Sequence, residues 1–427
     1  MANNFNKEER VAFEELLEGF NDAEVMSRNV SKYSTDQTMM ERANDTIWRP
    51  QPYILNSYDG QDQTSNFNDK TQLAVPASIS IEKSVPWIMS ATELRDALQE
   101  GRLGDSAKQR LASDINIAVL NMASNTGTLV VPIAAAATGF DDVALVEAIM
   151  NEQGVPDWDR VLVLSTRDYT GMASNLANRE YMNDKVKKAY ERAHVGIIAS
   201  FDTWKLDYSR RIAAAGGGVR TIDTTDDAIN FYLPKAVSTS PTTSERLNVD
   251  NRFQTVTVSA TTGVVAGDAF TIANVFAVHH ITKESTGQLK TFRVISVDSG
   301  TTMTISPPIV DPSSDVDGEA AVQYQNVTRD GGAGSATAAI TWLNIDPTAI
   351  NPFWQKDAIE ILPGRYAVPE DSGAAVMRGT TDSGIEVCMT KQFDINTYKT
   401  KFRLDTRFGV VNKAPEMSGI LLFNQVP

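Results

Sequence analysis

Three histidines, His194, His279 and His280, and one cysteine, Cys388, are the side chains best suited to base, nucleophile or soft-metal chemistry in this chain of 427 residues. A zinc or general-base site needs such groups in converging sets, yet none of these histidines has a cysteine or carboxylate at a recognised metal spacing. His279 and His280 are adjacent, so in a strand they point to opposite faces and cannot chelate one ion without a bend; a loop or surface position is expected for them. Cys388 lies in the alternating apolar run Gly384 to Met389 with no histidine near it in sequence. That pattern predicts a small buried hydrophobe in a strand rather than an activated thiol.

Other candidates have structural readings. The run GGGVR at Gly216 lacks the lysine and the Ser or Thr of a phosphate-binding Walker loop, and it reads as a hinge. Asp141 with Asp142 and Asp226 with Asp227 are neighbours rather than facing carboxylates, so capping and turn formation account for them. Ile47, Trp48, Arg49 and Pro50 offer an aromatic platform, but packing of a strand onto a core is the commoner use of such a cluster. No catalytic residue, metal site or cofactor is expected.

The elements that would position any site point to a large, several-core protein. A chain of this length exceeds what one core organises, and 42% hydrophobic with 22% charged residues is ordinary for a globular fold. The longest apolar stretch, Gly127 to Ala137, is shorter than the roughly 20 residues that cross a bilayer, and no signal segment is evident. A net charge of -15 argues against neutralising a phosphate backbone over a wide face. An acidic wall would equally suit a container for DNA, so charge alone does not separate a container from a cytoplasmic enzyme. A single cysteine excludes an intramolecular disulfide and suits a reduced compartment.

Along the chain, Val11, Phe13, Leu16, Leu17 and Phe20 recur at helical spacing among glutamates, which predicts a short amphipathic helix. A polar region from Tyr58 to Thr71 and partial alternation from Gln72 to Pro86 predict a long hairpin or extended loop. A helical segment opens at Thr92, is expected to break at Gly101 and Gly104, and is followed by a better helix from Asp105 to Ser124 with Leu111, Ile115, Val119 and Met122 on one face. Another helix is expected after an Asp141 N-cap with a Phe140–Leu145 staple, ending near Gly154, and Arg160 to Ser165 reads as a strand. From the Gly216–Gly218 joint to Trp342 helical periodicity vanishes. Thr255–Ser259, Ala269–Ile272, Thr291–Val297 and Thr302–Ser306 read as short strands of an antiparallel barrel or sandwich. Gly331, Gly332 and Gly334 close that segment, and two glycine joints around an all-β segment suit an inserted domain.

Several stretches carry a resemblance. LNVDNRFQTVTVSATTG at Leu247 to Gly263, with Gly267 and Asp268, resembles the inserted domain of the coat-protein family of short-tailed Salmonella phages. NDTIWRP at Asn44 to Pro50, ELRD at Glu93 to Asp96 and NMAS at Asn121 to Ser124 are similar to that family in the same order. So are NPFWQKDAIEIL at Asn351 to Leu362 and RFGVVNKAPEMSGILL at Arg407 to Leu422. The resemblance implies an α+β Hong Kong 97-type capsid fold with an inserted antiparallel β-barrel domain. It divides the chain into an N-terminal arm over 1–33, a strand and connection over 34–50, an extended loop over 51–86 and a peripheral domain with a spine helix over 87–139. An axial domain over 140–215, the inserted barrel over 216–342 and a return through both domains over 343–427 complete it.

The implied function is that of a non-enzymatic major capsid protein, assembled in the host bacterial cytoplasm with copies of itself into an icosahedral procapsid and mature head. Scaffolding and portal proteins are the expected partners; the enclosed double-stranded DNA is bound without sequence specificity, and no membrane is involved. Lys235, Glu245 and Arg246 are candidate inter-subunit contacts, in a segment, Lys235 to Arg246, whose charge pattern departs from the family's two-fold contact loop. A β-rich phage tail or adhesion protein stays open as the alternative, as does an enzyme with an unfamiliar acidic site.

Overall fold

The computed structural model describes residues 10–11, 13–14, 16–17, 24–33, 46–52, 54–55, 57–64, 66–67, 69–90, 97–179, 194–206, 208–222, 231–312, 318–329, 338–366 and 373–426. The chain forms two compact units, one from Met1–Ile47, Ala77–Met122 and Ile359–Val411, the other from Trp48–Pro76, Ala123–Ala358 and Asn412–Pro427. Thr92 to Asp96, the Asp226–Asp227 pair and the Gly331–Gly334 cluster lie outside the described residues.

The first unit is built on a six-stranded sheet whose long member is Lys399–Asn412. Burial alternates along its first half, with Phe402 and Leu404 inside, as a half-buried strand demands. Ile81–Ser90 runs antiparallel to it in unbroken register from Ser90↔Lys399 to Ile81↔Phe408. Residues Ile81 to Pro86, whose partial alternation predicts a long hairpin or extended loop, are strand. Ile47–Pro50 also pairs with Ala74–Ala77, with the polar stretch as their connection. Trp87 stacks on its cross-strand partner Phe402 with ring centroids 5.5 Å apart, and Trp48's strand is half-buried rather than an open platform.

The helix expected in two pieces is one, Ala97–Thr126, of 30 residues. Leu111, Ile115 and Val119 are fully buried. Gly101 and Gly104 do not break it, because a helical glycine costs only about 1 kcal/mol, which packing offsets. A Cβ on Gly104 would stand 3.4 Å from the Leu16 side chain, so the missing side chain gives the N-terminal helical residues room to approach. Among these, Phe13 and Leu16 are buried and Val11 is exposed.

In the second unit a mixed six-stranded sheet runs Leu129–Pro132, Ser418–Leu422, Asn351–Gln355, Arg160–Ser165, Phe201–Leu206, His194–Ile198. Its core joins Leu162, Phe201, Phe353 and Leu421 to Val143, Val146 and Met150 of helix Phe140–Glu152. That helix is not capped by Asp141. Its N-cap is Gly139, and Asp142 folds back so that one carboxylate oxygen accepts the Thr138 and Gly139 N–H groups at 2.6 and 3.0 Å. Of the expected staple, Phe140 and Leu145 are both exposed. The C-terminus is as expected, with Gly154 at φ +77°.

The same unit holds a seven-stranded, wholly antiparallel sheet in the order Arg220–Ile222, Ala338–Trp342, Ala269–Val278, Ser285–Val297, Thr302–Ser306, Gln254–Thr257, with Val327–Arg329 added beside Ala269–Val278. Two of these strands are longer than alternation suggested, because register shifts at Thr271/Phe276 and Phe276/Val278 let a long ribbon bend. The first and last strands of the order meet: Ile222 bridges Val258, and the Ser259 N–H donates to the Thr221 carbonyl at 2.9 Å. Inside lie Phe270, Phe292, Val294 and Ile305. Backbone at the Gly216–Gly218 joint is closely packed. A Cβ on Gly216 would sit 2.8 Å from the Gly263 carbonyl oxygen, and one on Gly217 2.5 Å from the Trp342 ring.

Candidate assembly surface

Among the described residues, Val237–Thr239 and Arg246–Asn248 form a ribbon paired only with each other, through Val237↔Asn248, Ser238↔Leu247 and Thr239↔Arg246. Residues 241–248 are all exposed, Leu247 at 54%. Such a two-stranded ribbon is marginal in water by itself, so its shape has to be held from its ends. At the tip, the Ser240 N–H donates to the Glu245 carbonyl and the Ser244 N–H to the Ser240 carbonyl, both at 2.9 Å. At the base, the buried Asn251 side chain accepts from the Lys235 N–H and the Tyr232 hydroxyl at 2.9 Å. Its amide donates to the carbonyls of Lys235 and Val249 at 2.9 and 3.0 Å.

The structure thus brings Lys235, Glu245 and Arg246 onto one projecting ribbon, and all three are exposed. Among the described residues the Glu245 carboxylate accepts only a 3.3 Å contact from the Thr243 hydroxyl, and none of the three side chains forms an ion pair. Three unspent charges and an exposed leucine on a pinned ribbon can bind a complementary surface by charge and shape; they cannot activate a bond. Sequence reasoning missed Asn251, whose only signal is an Asn beside an Asp in VDNR, the composition of a turn.

His279 and His280 follow strand Ala269–Val278 in a turn, in keeping with the loop or surface position expected of them, and both are half-buried there. A Cβ on Gly154 would lie 2.8 Å from the His279 ring, and His279 Nδ1 accepts the N–H groups of Ile281 and Thr282 at 3.2 Å. His280 Nε2 stands 3.9 Å from Glu416. Burial pushes the His280 pKa down to about 4, against the pull of that carboxylate. Burial also works to raise Glu416, but the charges of Lys290 and His280 and hydrogen bonds from Lys290 and Asn326 outweigh it and hold it at about 2. Lys290 Nζ reaches Glu416 at 2.6 Å and Gln153 at 3.2 Å, and the Asn326 amide donates to Glu416 at 3.0 Å. These bonds join Gln153, Lys290, Asn326 and Glu416 in a structural tie, beside which the buried His280 Nε2 has no hydrogen-bond partner. His194 lies at the start of its strand. Cys388 is buried as expected, and burial raises its thiol pKa. Among the described residues no cluster of His, Cys, Asp and Glu is fit to hold a metal ion.

Comparison with known proteins gives this surface its context. The family model for "P22 coat protein - gene protein 5" matches residues 1–424. Among solved structures, the CUS-3 coat protein I-domain is 41% identical, over 29% of this chain and 95% of that one, with a TM-score of 0.21. The structure from Mycobacterium phage Che8 is 9% identical over 93% of this chain and 90% of that one, with a TM-score of 0.42. The acid-stable capsid of Helicobacter pylori bacteriophage KHP30 is 8% identical over 93% and 88%, with a TM-score of 0.40. With its match spanning almost every residue, the chain belongs to the P22 coat protein family and is a major capsid protein of a bacteriophage, one that associates with its own copies in an icosahedral shell.

Proposed function

We propose that this capsid protein is a Hong Kong 97-type subunit in which residues 216–342 are an inserted antiparallel barrel, and that it catalyses nothing. The observation that carries the reading is the seven-stranded antiparallel sheet whose outer strands meet through Ile222 and Val258, all of it drawn from Arg220 to Trp342. A sheet closed on itself needs no neighbour to cover its edges, so it suits a module set into a host fold. The subunit assembles in the host cytoplasm on a scaffolding protein around a portal, and the head then encloses double-stranded DNA. The net charge of -15 supports a wall that does not hold the packed DNA by its phosphates.

Lys235, Glu245 and Arg246 make the contact between neighbouring capsomers. Each such contact is weak, and the sum over a closed shell is what makes it durable. The test is expression with and without the neighbouring phage genes, followed by negative-stain microscopy. Uniform closed shells that need a co-expressed partner are expected; a stable monomer under every condition counts against the reading. Excising Gly217 to Gly334 with a short linker tests the module, and full-yield, correctly sized shells from that deletion would contradict its proposed role in folding and contact.

A further inference from the structure

The second unit contains a pocket of about 310 Å³, within the size range of small-molecule sites. Six of its lining residues are prolines, among them Pro156, Pro307, Pro308 and Pro415, and their fixed backbone makes the wall preformed rather than collapsible. Val155, Val310 and Met417 add apolar surface.

The polar groups on the wall define what can enter. Three of its donor side chains are already engaged: Arg252 with Asp250 at 2.7 Å and the Asn412 carbonyl at 2.9 Å, Asn326 with the Pro308 carbonyl and Glu416, and Gln51 with the Lys413 carbonyl. Glu416 is different. Its Oε1 takes both Lys290 and Asn326, whereas Oε2 has only His280 Nε2 near it, at 3.9 Å, beyond hydrogen-bond reach. The pocket therefore offers an ionised acceptor, Glu416 Oε2, next to the unpartnered Nε2 of a neutral His280, a pair of groups that a hydroxyl can serve. An anion is repelled by Glu416, and a cation finds Lys290 and Lys283 already beside that carboxylate.

We propose that this pocket binds a small neutral molecule with an apolar body and one hydroxyl, of the phenol or alcohol class, the body lying on the proline wall and the hydroxyl donating to Glu416 Oε2. A hydrogen bond to a charged acceptor in an apolar setting is among the stronger ones, so the hydroxyl dominates selectivity.

The test uses the full-length, unassembled chain with ¹³C-labelled methionine methyls, and follows Met417. Expected are a saturable shift with 4-tert-butylphenol and binding about tenfold weaker for tert-butylbenzene, which keeps the body and lacks the donor. The cation 4-tert-butylbenzylammonium should bind more weakly than the phenol. Ile54→Trp, at a half-buried lining position, should weaken the phenol more than tenfold with an unchanged circular dichroism spectrum. No shift at Met417 up to the solubility limit, equal affinity for phenol and arene, or tighter binding of the cation overturns the proposal. The phenol-to-arene ratio on the unaltered chain decides even if Ile54→Trp fails to fold.

Discussion

Lys290 Nζ lies 2.6 Å from Glu416 Oε1, and the lysine side chain is only 1% exposed. Strand Ser285–Val297 is thereby tied to the turn Pro415–Met417 by a charge pair out of water. Breaking a buried pair from one side strands the other charge, which typically costs about 3–5 kcal/mol, whereas removing both costs far less. Lys290→Met or Glu416→Gln alone should lower stability by that order, and the double variant should recover much of it. Urea unfolding of the monomer measures all three.

Acid should loosen the same cluster before it affects the rest of the unit. His280 has a folded pKa of about 4 against an ordinary value of 6.5, so the unfolded chain binds the proton first. This contribution is full above pH 6.5 and is lost progressively as pH falls from 6.5 to about 4, by up to about 3 kcal/mol. Glu416, held at about 2 against 4.5, adds a second loss in the same direction at lower pH. His280→Gln should flatten the unfolding free energy between pH 6.5 and 4 and leave the lower limb in place; an unchanged slope in that window would show that His280 is not its source.

What sequence could and could not reveal divides along local and non-local lines. Leu111, Ile115 and Val119 announced a buried helical face, and Cys388 a buried strand position, because each signal repeats within a few residues. The helix was misread at Gly101 and Gly104 because intrinsic propensity is a weak prior that tertiary packing overrides, here through Leu16. Histidines 279 and 280 were legible as loop residues but their partial burial was not, because nothing nearby reveals that Glu416, more than a hundred positions away, sits beside the second of them. The charges of the ribbon were legible, but its clamp, Asn251, was not: its four hydrogen bonds depend on where the ribbon's base folds.

Gly217 illustrates a glycine required by space. A Cβ there would meet the Trp342 ring at 2.5 Å, and the Trp342 indole N–H already donates to the Gly218 carbonyl at 2.7 Å, so the ring has little freedom to move. Gly217→Ala should cost about 1–3 kcal/mol as overpacking, while Gly300→Ala, which meets nothing within 4 Å, should be close to neutral. Thermal unfolding of the two variants side by side makes the comparison.

The ribbon charges should matter to assembly and not to folding. Glu245 and Arg246 are exposed and form no ion pair among the described residues, so Glu245→Lys or Arg246→Glu should leave the monomer's unfolding midpoint within the small range of surface substitutions, about 0.5 kcal/mol. Shell yield should nevertheless fall in each, since a like charge placed against a partner's charge is repulsive. Wild-type yield from both single variants would remove these residues from the contact.

Gly104→Ala should raise stability. The position is inside helix Ala97–Thr126, where replacing glycine with alanine gains up to about 1 kcal/mol from reduced freedom of the unfolded chain. Against this stands one contact, the new methyl at 3.4 Å from Leu16 Cδ1, the far end of a side chain with rotamers to spare. Because that contact is close to ordinary van der Waals separation, the gain should survive, at a few tenths to about 1 kcal/mol. A higher unfolding midpoint with unchanged denaturant slope is the expected result. A lower midpoint would mean that Leu16 cannot give way, and that glycine is kept at 104 to seat the N-terminal helical residues.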